Sequence, residues 1–201
     1  MLHGPHIGEL EVRRGAGGKR RLRGRFPYKK RAVLSDGGRN GRPKKEEFAP
    51  RAFAYRVEDP QAEIHLLIGH DYDRPLASKL TGGLNLWDGD DALTFEAEIS
   101  PEIQAASYWL DFWAGFTAGL VVGLSPGFRI PPERAVPAEE AEQVTEEDPE
   151  EGDALIRTIF QALLFEISLV TVPAYKETEV EARSGLILPP PPLTHLRRYR
   201  L

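Results

Sequence analysis

Apolar and polar residues alternate along much of this chain with the two-residue period of β-strands. Residues 93–99 show the clearest alternation and are predicted to form a half-buried strand. The shorter runs predicted as strands are residues 52–57, 64–68, 76–80, 84–87 and 120–130. Between the fourth run and residues 93–99, Asp88-Gly89-Asp90-Asp91 predicts a hairpin turn.

One segment has the helical period instead. Ser100-Pro101-Glu102 is a typical helix start, because serine can cap free amides, proline suits the first position and glutamate suits the positive end. The apolar residues that follow at helical spacing are Ile103, Ala106, Trp109 or Leu110, Trp113 and Phe116. We interpret this aromatic stripe as core packing rather than as a cofactor site.

A long apolar run over residues 153–171 completes the pattern. Its β-branched content predicts strands with a bend or bulge, although residues 160–165 also suit a helix. Residues 19–30 alternate basic with apolar residues, and a short strand is one interpretation of them. Many short strands with one clear helix predict an α+β, β-rich barrel or sandwich.

Composition adds a strong charge asymmetry to this picture. The chain of 201 residues has a net charge of -5, yet residues 1–57 carry 16 Lys+Arg against 5 Asp+Glu. Residues 133–153 carry 10 Asp+Glu against one Arg. Such blocks are typical of solvated segments, so we interpret residues 1–47 as a basic, partly flexible arm and residues 131–153 as an acidic mobile loop. Contact with nucleic acid or with an acidic protein surface is the alternative interpretation of the arm.

Several classes of site and location are not expected. The chain contains no Cys, which excludes disulfides and a thiolate nucleophile. No residue spacing typical of a metal site is present, and no cofactor is expected. Neither a signal-peptide run at the N-terminus nor a run long enough for a membrane span occurs.

The proline run at residues 189–192 suits a stiff spacer, so residues 184–201 are interpreted as a Pro-rich tail.

The candidate chemistry is that of a serine hydrolase, which needs a nucleophile, a base and an acid that orients the base. Of the five histidines, three lie in the basic N-terminal segment or after the proline run, which leaves His65 and His70. His70 is preferred because it ends a predicted strand, where catalytic groups are often displayed. Taken alone these signals are weak, because a histidine beside an aspartate and a Ser-Pro-Gly segment are more often plain turns. Glu166 could equally be a strand residue that points outward.

Three segments in order resemble the tailed-phage prohead proteases, which mature capsids and have a fold similar to herpesvirus assemblin. These segments are Gly69-His70-Asp71, Ser125-Pro126-Gly127-Phe128 and residues 166–175. The last is the most specific, and the match covers residues 48–183. The resemblance implies an assemblin-like, β-rich barrel with flanking helices. It also implies Ser125 as nucleophile, His70 as general base and acid, and Glu166 as the acid that orients His70.

Two residues depart from the family pattern. Gly69 replaces a common Asn, and Pro126 replaces an aromatic residue. Proline has no N–H, so the amide after Ser125 cannot donate to an oxyanion. Assemblin-like enzymes use a loop amide and an arginine-held water instead, and the sequence assigns that role to neither Arg129 nor Arg157.

The resemblance also implies partners and a location. Such a protease acts in the host cytoplasm inside the immature capsid, where it cleaves scaffold or the N-terminal extension of the major capsid protein, and itself. Capsid protein is then a candidate for the acidic surface that the basic arm contacts. A homodimer that uses the Trp109 and Trp113 helix is a further candidate assembly. The alternative is a catalytically inactive protease fold that acts as a scaffolding or assembly protein, an interpretation that Pro126 favours.

Overall fold

The computed structural model describes residues 13–14, 18–39, 41–121, 123–148, 150–172 and 179–181. Its helices are α1 (Ala54–Glu58), α2 (Pro101–Ala105), α3 (Ser107–Thr117) and α4 (Ala138–Ala141). Its strands are β1 (Arg13–Arg14), β2 (Arg20–Pro27), β3 (Ala32–Ser35), β4 (Lys44–Phe48), β5 (His65–Ile68), β6 (Asp71–Ser78), β7 (Leu84–Asp88), β8 (Ala92–Ile99), β9 (Gly123–Arg129), β10 (Glu142–Glu146), β11 (Leu155–Ile159), β12 (Leu163–Val170) and β13 (Glu179–Glu181).

The strands form three sheets. One has the order β1-β2-β8-β7, with β13 also paired to β2, and another has the order β10-β11-β4-β3. The third sheet, with the order β6-β5-β12-β9, carries Ser125 on β9 and Glu166 on β12, and His70 lies in the turn between β5 and β6. The β-rich α+β prediction is therefore confirmed. No closed barrel occurs over the described ranges, so the assemblin-like barrel stays a prediction.

Close packing on one side of β9 identifies which face of the third sheet points to the core. A Cβ on Gly24 of β2 would lie 2.3 Å from the Phe95 ring and 2.9 Å from Leu124 Cδ1, so only glycine allows this approach. Leu124 is fully buried in the main hydrophobic cluster. Because neighbouring strand residues point to opposite faces, Ser125 lies on the outer face of the sheet.

Most predicted elements are present, and one is wrong. Residues 52–57 were expected to form a strand but contain most of α1. Phe53 and Val57 are four residues apart and both buried, as on one helix face. The predicted helix after Ser100 is confirmed, with the Ser100 hydroxyl accepting the Ile103 N–H. This helix is interrupted at Ala106, whose ψ of 144° is extended, so α2 and α3 are separate. Strands rather than a helix follow residue 160, with the expected bulge between Leu164 and Glu166.

The basic and acidic segments contact each other and β8. Lys45 Nζ lies 2.5 Å from Glu147 Oε1, and this hydrogen bond is the main cause that holds the pKa of the buried Glu147 below its usual value. Further ion pairs of these segments join Lys19 and Arg21 to Glu98, Arg23 to Glu96, Arg31 to Glu47 and Glu147, Arg42 to Glu146 and Asp153, and Arg157 to Glu46 and Glu142. Part of the positive charge of the arm is thus matched by carboxylates of the same chain, and these contacts give no support to nucleic-acid binding.

The domain boundaries stay predictions. β1, β2, β3 and all but the last residue of β4 lie inside the predicted arm of residues 1–47, and α4 and β10 lie inside the predicted loop of residues 131–153. The predicted tail of residues 184–201 lies outside the described residues. Over the part that is described, no helix has the length and apolar character that a membrane crossing requires.

Candidate active site

His70 is presented by a tight turn between β5 and β6. The hairpin pairs Ile68 with Asp71, and its two loop residues have positive φ angles, 64° at Gly69 and 62° at His70. Two positive φ angles are typical of a type I′ turn, in which glycine and asparagine are favoured. This conformation explains why glycine can stand at position 69 where the prohead proteases commonly have asparagine.

Two backbone hydrogen bonds dock this turn onto β12. The Gly69 N–H donates to the Leu169 carbonyl oxygen at 3.0 Å, and the His70 N–H donates to Ser168 Oγ at 2.8 Å. A non-glycine residue at positive φ is strained unless its surroundings hold it. The bonds to β12 therefore fix His70 in a conformation that it would not adopt freely.

The imidazole of His70 contacts the carboxylate of Glu166. Nδ1 of His70 lies 2.7 Å from Oε1 of Glu166. The Glu166 side chain is 4% exposed and the His70 side chain 47% exposed. A buried carboxylate thus anchors one nitrogen of a ring that remains accessible, which is the arrangement of a general base held by an acid.

Ser125 lies on the strand next to this pair. In the antiparallel ladder between β9 and β12, Ser125 is paired with Ser168 and Gly127 with Glu166. Directly paired residues share a sheet face, with Cβ atoms about 5 Å apart. Ser125 is therefore a neighbour of the serine that binds the His70 backbone. Its hydroxyl makes no hydrogen bond to any other described residue.

Gly127 leaves the space that Glu166 occupies. A Cβ at position 127 would lie 1.8 Å from Glu166 Oε1 and 2.8 Å from its Cγ. The oxygen that it would displace is the one bonded to His70. No role for this glycine was predicted from the sequence. Its place two residues after Ser125, on the same strand face, is the signal that points to it.

Ser168 is the second residue that the sequence analysis missed. It is fully buried, accepts the His70 N–H and donates from Oγ to Glu166 Oε2 at 2.7 Å. Its spacing of two residues from Glu166 places both side chains on one face of β12. That period-two spacing was visible in the sequence.

Other side chains border the pair without joining it. His65 is paired with Glu166 in the parallel ladder between β5 and β12, but its ring packs edge-on against Tyr72 at 5.8 Å between centroids. Partial burial and the nearby Glu166 carboxylate raise the pKa of Tyr72, while Arg129 and Arg56 act in the opposite direction. Asp71 binds the Asp73 N–H and Arg74, which makes it a local turn residue.

The two arginines considered for the oxyanion lie in different places. Arg157 is bonded to Glu142 and Glu46 in another sheet. Arg129 lies on β9 with its guanidinium carbon 5.4 Å from the Phe165 ring centroid. Because Pro126 has no N–H, the amide that follows Ser125 makes no contribution to oxyanion binding.

A family model described as caudovirus prohead serine protease matches residues 36–187. The matched range contains Ser125, His70 and Glu166, together with Gly127 and Ser168. No curated protein and no solved structure matches the chain.

Proposed function

Because the chain belongs to the caudovirus prohead serine protease family, we propose that it is an active serine endopeptidase of capsid maturation. Ser125 is the nucleophile, His70 is the general base and acid, and Glu166 orients His70. The observation that carries this proposal is the hydrogen bond of 2.7 Å between His70 Nδ1 and the buried Glu166, beside a serine on the adjacent strand.

The hydrogen bond at His70 Nδ1 determines which nitrogen of the imidazole can act as the base. Glu166 holds Nδ1 of His70, so Nε2 is the nitrogen that takes the Ser125 proton while Oγ attacks a peptide carbonyl carbon. The tetrahedral intermediate collapses to an acyl-enzyme as the imidazolium protonates the leaving amine. Water then attacks the acyl-enzyme, again with His70 as the base, and Ser125 regains its proton.

The Glu166 carboxylate has two roles in this cycle. It fixes the His70 tautomer that has its proton on Nδ1, and its negative charge stabilises the imidazolium that forms after proton transfer. Its burial strengthens that interaction, because charges attract more strongly where water is excluded. The Ser125 hydroxyl has no hydrogen bond to another described residue, which fits this scheme, since catalytic hydrogen bonds often tighten only in the complex with substrate.

The proposed substrates are the proteins that surround the protease inside the immature capsid. They are the scaffold protein or the N-terminal extension of the major capsid protein, and the protease itself. The family that matches the chain supports this class of substrate. The proposed location is the interior of the prohead in the host cytoplasm.

Co-expression with the major capsid protein of the same phage tests this function. We expect the intact mass of the capsid protein to fall by the mass of an N-terminal segment with the wild-type protease, and to remain full length with Ser125→Ala. A capsid protein that stays uncut with both proteins, while scaffold also stays uncut, would favour the inactive assembly protein instead.

The two histidines near Glu166 make a second test. We expect His70→Ala to lower the cleavage rate by at least about 100-fold, the usual contribution of a general base. His65→Ala should leave the rate within about 3-fold of wild type, because the His65 ring packs on Tyr72 and has no bond to Glu166. The measurement is the initial rate of cleavage of a capsid-protein fragment, and equal losses in both variants would contradict the assignment of His70.

A further inference from the structure

We propose that Ser168 is a positioning residue of this site, which sets the orientation of the His70 ring through both its backbone and its acid. This inference rests on the proposed function of His70 and Glu166. It assigns to Ser168 no contact with substrate and no step in proton transfer.

The Ser168 hydroxyl acts as a hydrogen-bond acceptor and as a donor at the same time. Oγ accepts the His70 N–H at 2.8 Å and donates to Glu166 Oε2 at 2.7 Å. Glu166 Oε1 in turn bonds His70 Nδ1 at 2.7 Å. These three bonds close a ring that contains the backbone of His70, the hydroxyl of Ser168, the carboxylate of Glu166 and the imidazole of His70.

The ring of bonds fixes two parts that would otherwise be free to move. His70 has a φ of 62°, which a non-glycine residue keeps only where its surroundings enforce it. The Glu166 carboxylate can rotate about its terminal torsion, and the bond to Oε2 selects the orientation that directs Oε1 at His70. Ser168 therefore determines the direction of His70 Nε2, although Ser168 itself lies on the Nδ1 side of the imidazole.

Simple space filling does not account for this serine. Ser168 is fully buried, and a buried hydroxyl must be hydrogen-bonded or its desolvation is uncompensated. Alanine would fill nearly the same volume but would leave the His70 N–H and Glu166 Oε2 without this partner. Outer-shell groups of this kind, measured at metal sites, change activity by about 10- to 100-fold.

Three variants test the inference. Ser168→Ala removes the hydroxyl, and Ser168→Thr retains one. Ser78→Ala is the matched control, because Ser78 is a buried serine of the same sheet whose hydroxyl contacts Glu63 and Thr81 instead. Three properties are measured for each: kcat and KM for a capsid-protein fragment, melting temperature, and the tautomer of the neutral His70 ring from long-range ¹H–¹⁵N spectra at high pH.

We expect Ser168→Ala to lower kcat by about 10- to 100-fold with KM nearly unchanged. The His70 ring should change from the tautomer protonated on Nδ1 to a mixture of both tautomers. Ser168→Thr should keep the wild-type tautomer, and Ser78→Ala should keep both kcat and tautomer even if its melting temperature falls. Retention of the wild-type tautomer in Ser168→Ala would overturn the inference, whatever happens to its activity.

The tautomer also separates this inference from the proposed function. It is measured in the Ser125→Ala background as well, where no cleavage is expected. If Ser125→Ala still cleaves, the proposed function fails, yet the response of the His70 ring to Ser168→Ala remains informative. If Ser125→Ala is inactive but the ring does not respond to Ser168→Ala, the inference about Ser168 alone fails.

Discussion

Replacement of Ser125 by alanine is expected to lower kcat by about 10³- to 10⁶-fold, the range seen when a serine protease loses its nucleophile. The fold should remain intact, because the Ser125 hydroxyl makes no hydrogen bond to another described residue and lies on the outer face of its sheet. We therefore expect a melting temperature within about 2 °C of wild type, as for a substitution that removes no contact. Activity is measured as single-turnover cleavage of a capsid-protein fragment.

Covalent labelling identifies the nucleophile independently of the substrate. The phosphorofluoridate diisopropyl fluorophosphate phosphorylates an activated serine, with loss of fluoride and of the serine proton. We expect one adduct per chain in the wild type, mapped to Ser125 by peptide mass, and none in Ser125→Ala. His70→Ala should label far more slowly, since the serine then lacks its base. An adduct on a different serine, or cleavage by Ser125→Ala at the wild-type rate, would remove Ser125 from the mechanism.

Local sequence patterns predicted much of the fold because each element carried its own signal. The alternation over residues 93–99, the turn at Asp88 to Asp91 and the cap at Ser100 correspond to β8, the β7–β8 hairpin and α2. The error at residues 52–57 arose because a run of six residues is too short to distinguish the two periods. One contact at the start of α1 is also not local, since the N–H of Phe53, the residue before this helix, donates to Asp88, 35 residues away.

The candidate site was only partly predictable for a related reason. The order of His70, Ser125 and Glu166 was visible through a family resemblance, and their roles stay proposals. The pairing of Ser125 with Ser168 and of Gly127 with Glu166 depends on the register between β9 and β12, which single-strand patterns do not determine. Gly127 and Ser168 acquire significance only once that register is known.

The charge asymmetry of the sequence is explained in part by ion pairs within the chain. The basic block was interpreted as a solvated arm or a nucleic-acid contact, and the acidic block as a loop. In the structure, residues of the basic block form ion pairs with the acidic block and with β8. Two segments of opposite charge about 100 residues apart thus complement each other, and net charge per segment does not by itself indicate an external partner.

The second large effect is expected at Gly127, which contacts no substrate in the proposed mechanism. A Cβ in Gly127→Ala would lie 1.8 Å from Glu166 Oε1, far inside van der Waals contact, so the carboxylate must move. That oxygen holds His70 Nδ1, and loss of the correct histidine tautomer in a serine protease costs about 10⁴-fold in kcat. We expect Gly127→Ala to lower kcat by about 10²- to 10⁴-fold, with the His70 tautomer changed in the same spectra that test Ser168.

The cause of the Gly127 effect can be isolated by comparing it with two other changes. Gly83→Ala adds the same methyl group where the nearest atom is 3.5 Å away, so its kcat should match wild type. In a Glu166→Ala background the carboxylate that a Cβ at position 127 would clash with is absent. Adding Gly127→Ala to that variant should therefore lower kcat no further, as expected for two changes that act through one interaction. If the losses from Gly127→Ala and Glu166→Ala instead multiply, Gly127 acts on Ser125 or on substrate binding rather than on the carboxylate that orients His70.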